Sequence, residues 1–280
     1  MNVNRQSPKN VRRASIAFRR PEQRAAAASA SAEPSAKSDD RSLVRSRHGA
    51  TLLELVVRRV ADIGEPETRG LRMLPYRDEV FDAGSVICDS VTSGDRITLL
   101  IAGTTASVTR HGAGAPIGTG LSVPGDFLDL SRLVMPALDY SVVAQDRCLV
   151  RRYDICAMLS LLHEHDACLR AVWRLSLAEA RRYRTWITAR ATLRTEARIA
   201  HLLCELHERL KAVGLACDGQ FKMPISQKDV GTLLGYSRAQ TNRNVQCLRS
   251  RGLVSWEAGQ VVIRDPVKLA ELARFDAGQI

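Results

Sequence analysis

The chain has 280 residues, 45% of them hydrophobic, with seven cysteines and a net charge of +11, enough for a tail and two domains of roughly 100 residues each. No apolar run approaches the ~20 residues that a membrane span needs, and no charged segment leads into an apolar one as in a secretory signal, which argues against a membrane or secreted protein. The odd, scattered cysteines (Cys88, Cys148, Cys156, Cys168, Cys204, Cys217, Cys247) fit reduced thiols in a cytoplasm.

The charge is unevenly placed. Residues 1–41 hold nine Lys/Arg against four Asp/Glu, residues 42–169 hold 13 against 16, and residues 170–280 hold 19 against 10. A nearly neutral middle followed by a basic last third suggests a body that does not touch nucleic acid and a region that does. Residues 1–44 are Arg-, Ala- and Ser-rich without periodicity, and disorder is expected there.

Leu52 to Val60 reads as a short amphipathic helix. From about Pro75, short apolar runs alternate with Gly, Asp and Ser. Phe81–Ile87, Ile97–Ile101, Ala106–Thr109, Ile117–Leu121, Ser141–Ala144 and Cys148–Val150 read as strands. Turn signals fall at Ser93-Gly94-Asp95, at His111 to Gly114 and at Pro124-Gly125-Asp126. Many short strands at this spacing predict a small antiparallel β-barrel or jelly roll over residues 45–160.

A helical stretch follows, assigned to residues 161–193. Leu162, Asp166, Leu169, Trp173, Ser176, Ala180, Tyr183 and Ile187 step by alternating fours and threes, as in a heptad seam. Arg170, Arg174, Arg181, Arg182, Arg184 and Arg190 are assigned to the opposite face. Two readings stand: a helix packed on its own barrel, or a parallel homodimer seam formed by Leu169, Trp173, Ala180, Tyr183 and Ile187. The second suits a protein that reads a two-fold site. Thr195 to Val213 is a further amphipathic helix through Ile199, Leu202, Leu203, Leu206 and Leu210, opening a domain over residues 194–270.

The most specific signal is Gln227 to Val245, which reads as a helix-turn-helix. Val230, Leu233 and Leu234 form the inward face of its first helix. Gly231 falls where the two helices cross, and Gly235 falls in a turn that needs positive φ. Ser237 is the N-cap of a second helix rich in long donors and free of acid, as suits the major groove. Val245, Cys247 and Leu248 anchor that helix, and Gly252 ends it. Leu253–Trp256 and Val261–Ile263 then make a β-hairpin wing. An ordinary helical hairpin would not carry this succession. Position fifteen of the motif is Thr241, where its methyl packs in place of the usual larger aliphatic group.

Other signals are weaker. His163, His165 and Cys168 bring at most two ligands to one helix face, short of the four that zinc takes. His201 and Cys204 suit a buried core pair. The Gly-rich runs near 112–120 lack the helix that a dinucleotide fingerprint requires. His111 is the barrel's only histidine, so an enzymatic metal site of the cupin type fails. No enzyme and no cofactor is predicted.

The chain as a whole, α+β with barrel, long helix and winged helix-turn-helix in order, resembles the family of the cyclic AMP receptor protein and the fumarate and nitrate reduction regulator (Crp/Fnr). The resemblance covers roughly residues 45 to 270. It rests on Pro124 to Leu130, Arg198-Ile199-Ala200, Val230-Gly231, Gly235 to Arg238, Arg243 and Arg251 to Val254. It implies a homodimeric bacterial transcription regulator that binds palindromic double-stranded DNA and contacts RNA polymerase. Arg238 and Arg243 would meet guanine or phosphate, Gln240 adenine, Ser237 and Asn244 phosphate, and Gln227 and Lys228 the backbone, with Thr241 in the same set. The family's cyclic-phosphate-binding Arg-Ser pair aligns with Leu138-Asp139, and a carboxylate there repels a phosphate. Cyclic AMP is therefore not expected. An unknown small-molecule effector would meet Asp126, Asp129, Arg132 and Asp139. The cysteine cluster that binds iron–sulfur in the oxygen-sensing members has no counterpart, and Ala239 replaces the Glu that reads cytosine in the receptor-protein branch. A different class stays open: an adaptor whose winged helix serves a protein partner.

Overall fold

The computed structural model describes residues 51–89, 94–109, 117–135, 137–223 and 225–279. The N-terminal tail, His111 and the Gly-rich run beside it lie outside the described residues. Helices α1 (Leu52–Arg58) and α2 (Glu65–Met73) come first. Thr51 and Glu54 form a capping box on α1, satisfying two otherwise orphaned amide N–H groups. Strands β1 (Tyr76–Phe81), β2 (Val86–Cys88), β3 (Arg96–Ala102), β4 (Thr105–Thr109), β5 (Ile117–Ser122), β6 (Ser141–Ala144) and β7 (Cys148–Asp154) follow. They form two antiparallel sheets of order β1-β7-β3 and β2-β6-β4-β5.

The expected strand Phe81–Ile87 is in fact a corner. β1 ends at Phe81, Gly84, at φ +89, turns the chain, and β2 begins at Val86 in the other sheet. The preceding strand, β1, is an exposed edge whose Asp78 and Glu79 pair with Arg151 and Arg152 of β7. Its charges hide it from an apolar-run search.

Strand β3 is buried on both faces. Ile97, Leu99 and Ile101 pack against the helices with Leu53, Val56 and Leu161, while Leu100 packs between the sheets with Ile87, Leu128, Val142 and Val150. After β7 comes α3 (Ile155–Glu164), then α4 (Asp166–Thr192). They are separated by His165 in extended backbone. Leu162, assigned to the heptad seam, therefore lies buried on α3, in the core shared with the barrel.

The last domain holds α5 (Thr195–Ala212), β8 (Ala216–Cys217), β9 (Gln220–Lys222), α6 (Gln227–Leu234), α7 (Arg238–Ser250), β10 (Val254–Glu257), β11 (Gln260–Ile263) and α8 (Pro266–Ala273). Its sheet runs β10-β11-β9-β8, so the predicted two-stranded wing is half of a four-stranded sheet. Ile199, Leu203, Leu206, Val230, Val245, Leu248, Trp256 and Val261 make one core. Helix α8 closes it through Leu269 and Ala273. His201 is buried and shares a hydrogen bond with the Ala273 carbonyl at 3.1 Å, and Cys204 is buried beside it.

Candidate nucleic-acid interface

Helix α6 starts at Ser226, whose hydroxyl accepts from the Asp229 N–H at 3.2 Å and donates to the Asp229 carboxylate at 2.6 Å. It stops at Gly235, in left-handed backbone at φ +78, and the Tyr236 N–H returns to the Gly231 carbonyl at 2.7 Å. Helix α7 starts at Ser237, which accepts from the Gln240 N–H at 3.2 Å. Between the helices, a Cβ on Gly231 would stand 2.5 Å from the Thr241 Oγ1. Only glycine permits that approach.

Burial sorts the residues of α7. Thr241, Val245 and Leu248 are buried. Helical periodicity puts Ala239, Arg243 and Gln246 on the opposite, outward line, with Asn242 to one side and Arg238 and Gln240 at the N-terminal turn. All six are exposed. Gln246 was missed in the sequence, although it stands three residues beyond Arg243 on the same line. Thr241 does not share this face: 1% exposed, it gives its hydroxyl to the Ser237 carbonyl at 3.1 Å. It is a packing residue, and it leaves the DNA-facing set. Asn244 is half-buried and donates to the Gln240 carbonyl at 2.7 Å. On α6, Lys228 is exposed and Gln227 half-buried; Cys247 is only half-buried on α7.

Helix α7 has no acidic residue. Of the nearby basic side chains, Arg249 pairs with Glu257 at the wing tip at 2.5 Å, and Arg251 with Glu196 at 2.8 Å. Among the described residues, Arg238 and Arg243 have no ion-pair partner, so they present uncompensated positive charge. Guanidinium groups so placed on a helix suit phosphate oxygens or the acceptors of a guanine edge.

The four residues assigned to an effector pocket have different surroundings among the described residues. Asp129 points between the sheets, accepting from the Thr98 N–H at 2.6 Å and the Thr98 hydroxyl at 3.0 Å, with Arg132 Nε 3.6 Å away. Burial raises its pKa beyond what those donors and Arg132 offset. Arg132 is buried and donates to the Asp89 carbonyl at 3.0 Å. Asp139 is exposed, while Leu138 before it is buried. Asp126 faces away from the sheets, to α5, where it pairs with Arg209.

On α4, the outward stripe comprises Leu169, Trp173, Leu177 and Ile187, with Trp173, Leu177 and Ile187 each more than 60% exposed. Leu177 was not assigned to the seam. Ala180 is half-buried. Tyr183 turns aside: its hydroxyl donates to Glu179 at 3.3 Å, and its ring lies over Gly120 of β5. The arginines do not share the opposite face. Arg174 donates to the Val60 carbonyl at 2.5 Å and Arg181 to Gly278 at 2.9 Å. Arg182 is half-buried near Asp126. Among the described residues, no three His, Cys, Asp or Glu side chains converge to hold a metal, and no helix is long and apolar enough to cross a membrane.

Residues 197–272 match the Crp-like helix-turn-helix domain family. Over 155 residues the chain is 26% identical to the transcriptional activator protein Anr of Pseudomonas aeruginosa, covering 55% of this chain and 63% of that protein. It thus spans somewhat under two thirds of that relative's length. The fold is similar to that of FixK2 from Bradyrhizobium japonicum, at 20% identity and a TM-score of 0.61, over 71% of this chain and 98% of that one. It is also similar to a transcriptional regulator of the CRP family from Thermus thermophilus, at 20% identity and a TM-score of 0.54, over 72% and 100% of the two chains.

Proposed function

We propose that the chain is a transcription regulator of the Crp/Fnr type that binds a palindromic operator as a homodimer and acts on RNA polymerase at promoters; the match of residues 197–272 to the Crp-like helix-turn-helix family and the likeness to Anr support this reading. The observation that carries this reading is α7, which has no acidic residue and exposes Arg238 and Arg243 with no ion-pair partner among the described residues. Arg243 and Gln246 are the proposed base or phosphate contacts of the outward line. Arg238 and Gln240 flank them, and Ser237 and Lys228 hold the backbone. Anr is called a transcriptional activator, which supports action at promoters.

The proposed dimer forms along Leu169, Trp173, Leu177 and Ile187. A groove of about 350 Å³ between Val134, Leu159, Leu169 and Trp173 extends this apolar face toward the barrel. Left in water, such a continuous face loses the stabilisation of burial; a second copy covers it. The signal is proposed to be a small molecule other than cyclic AMP. This rests on the alignment of Leu138-Asp139, which carry no cation, with the family's cyclic-phosphate-binding Arg-Ser pair.

The test is selection of bound fragments from sheared genomic DNA, followed by salt titration of wild type and Arg243→Ala. A palindromic site is expected, with log K falling steeply in log salt. The variant should lose about 1–3 kcal/mol at its base if Arg243 reads an edge, or about one unit of salt slope if it holds a phosphate. Weak binding indifferent to both sequence and Arg243 would overturn the reading.

A further inference from the structure

The winged-helix domain is docked on the barrel, and the docking has a charged centre. Leu121 and Val123, at the end of β5, are buried in the core of the last domain, while Val213, after α5, is buried in the core beneath the barrel. Gly125, at φ +94, makes the close approach possible: a Cβ there would stand 2.7 Å from Val213 and 3.4 Å from Val56. At this joint Arg209 of α5 pairs with Asp126 through Nη2, pairs with Glu205 at 2.7 Å, and donates to the Leu121 carbonyl at 3.0 Å. Glu205 also accepts from the Trp186 indole N–H of α4 at 2.5 Å. The Arg209, Asp126 and Glu205 side chains are 2%, 6% and 4% exposed. One chain of hydrogen bonds thus joins barrel, long helix and winged helix.

The strap that carries Asp126 is stitched to the barrel. The Gly125 N–H donates to Leu100, the Leu100 N–H to Asp126, and the Leu128 N–H to Thr98, at 2.8–2.9 Å. Three residues on, Asp129 points between the sheets. Asp126 cannot shift without β3, and Arg209 cannot shift without α5, which carries the winged helix. We propose that Asp126 and Arg209 are positioning residues for operator recognition: their pair fixes the angle between the winged helix and the long helix, and so sets the half-site spacing that the dimer accepts. A groove of about 450 Å³ between Arg181, Arg184 and Arg274 has the charge of an anion site. It adjoins the C-terminal ends of α4 and α8, however, where basic side chains already offset the helix dipoles.

The inference rests on the regulator reading, and the test separates the two. Full-length wild type, Asp126→Asn and Arg209→Lys are titrated against the wild type's best palindrome with its half-sites moved by one to three base pairs, and against sites with one altered half-site base. Wild type should fall at least about tenfold, or roughly 1.4 kcal/mol, when the half-sites move. Asp126→Asn should flatten that preference while keeping base discrimination. Arg209→Lys, which keeps the charge, should sit between the two. A spacing profile of Asp126→Asn that superimposes on wild type would overturn the inference. Wild type with no palindrome at all would overturn the regulator reading instead. A DNA-free measurement then decides the joint: Asp126→Asn should raise tryptic cleavage at Arg190 and Arg194 about fivefold or more, and unchanged cleavage would overturn it. Should Asp126→Asn fail to fold, Trp186→Phe removes the donor to Glu205, keeps an aromatic ring at the position, and is read the same way.

Discussion

Gly231 is where the two helices of the motif come closest, and its hydrogen marks the limit of that approach. With Thr241 Oγ1 2.5 Å and the Tyr236 carbonyl 3.1 Å from a hypothetical Cβ, Gly231→Ala must push α7 outward. A loss of about 1–3 kcal/mol is expected, the usual cost of overpacking, measured as a lowered urea midpoint. Thr241 shows what the motif hides at this scale. The alignment position marked it as packing, yet its hydroxyl invites a DNA-contact reading too. Only its place beneath the helix, bonded to Ser237, resolves the two. Gln246 was overlooked for the converse reason, that nothing in its chemistry distinguishes it from any surface glutamine.

Among the elements, α4 differs in the residues of its predicted seam. Heptad spacing found Leu169, Trp173 and Ile187, which are exposed as a partner-seeking seam requires. It also enlisted Leu162, which lies on another helix, and Tyr183, which is held by Glu179 and Gly120. The expected consequence is a contrast between variants. Trp173→Ala should weaken the dimer at least about tenfold in sedimentation, since aromatic anchors dominate such interfaces. Tyr183→Phe should leave the mass of the proposed dimer unchanged, because the hydroxyl it removes is already bonded to Glu179 of the same protomer. A Tyr183→Phe variant that dissociates would put Tyr183 back in the seam.

At the scale of the molecule, the joint at Asp126 makes a statement about pH. Burial works to raise the Asp126 carboxyl, but Arg209, then Arg182, the Val123 N–H and Arg59 outweigh it and leave its pKa below the ordinary 3.8. A lowered acid contributes stability that is complete above its unfolded value and is lost as pH falls through the folded one. The stability difference between wild type and Asp126→Asn should therefore be constant from about pH 5 to 8 and shrink only below about pH 4. Urea denaturation across that range checks it, and a difference that varies near neutrality would contradict this role for the carboxylate. Local chemistry alone determined much of this protein. Helix periods, the glycines at 231 and 235, the Ser237 cap and the acid-free α7 specified the helix-turn-helix, because each depends on residues within one or two turns. Alternating apolar runs likewise marked most barrel strands. Tertiary structure decided the rest: the β1 edge paired through charges 73 residues apart, the break at His165, the wing's two extra strands, and the turn of Asp126 toward Arg209 rather than into a pocket. Those outcomes depend on partners distant in sequence, and one segment read alone does not say which partner a charge will meet.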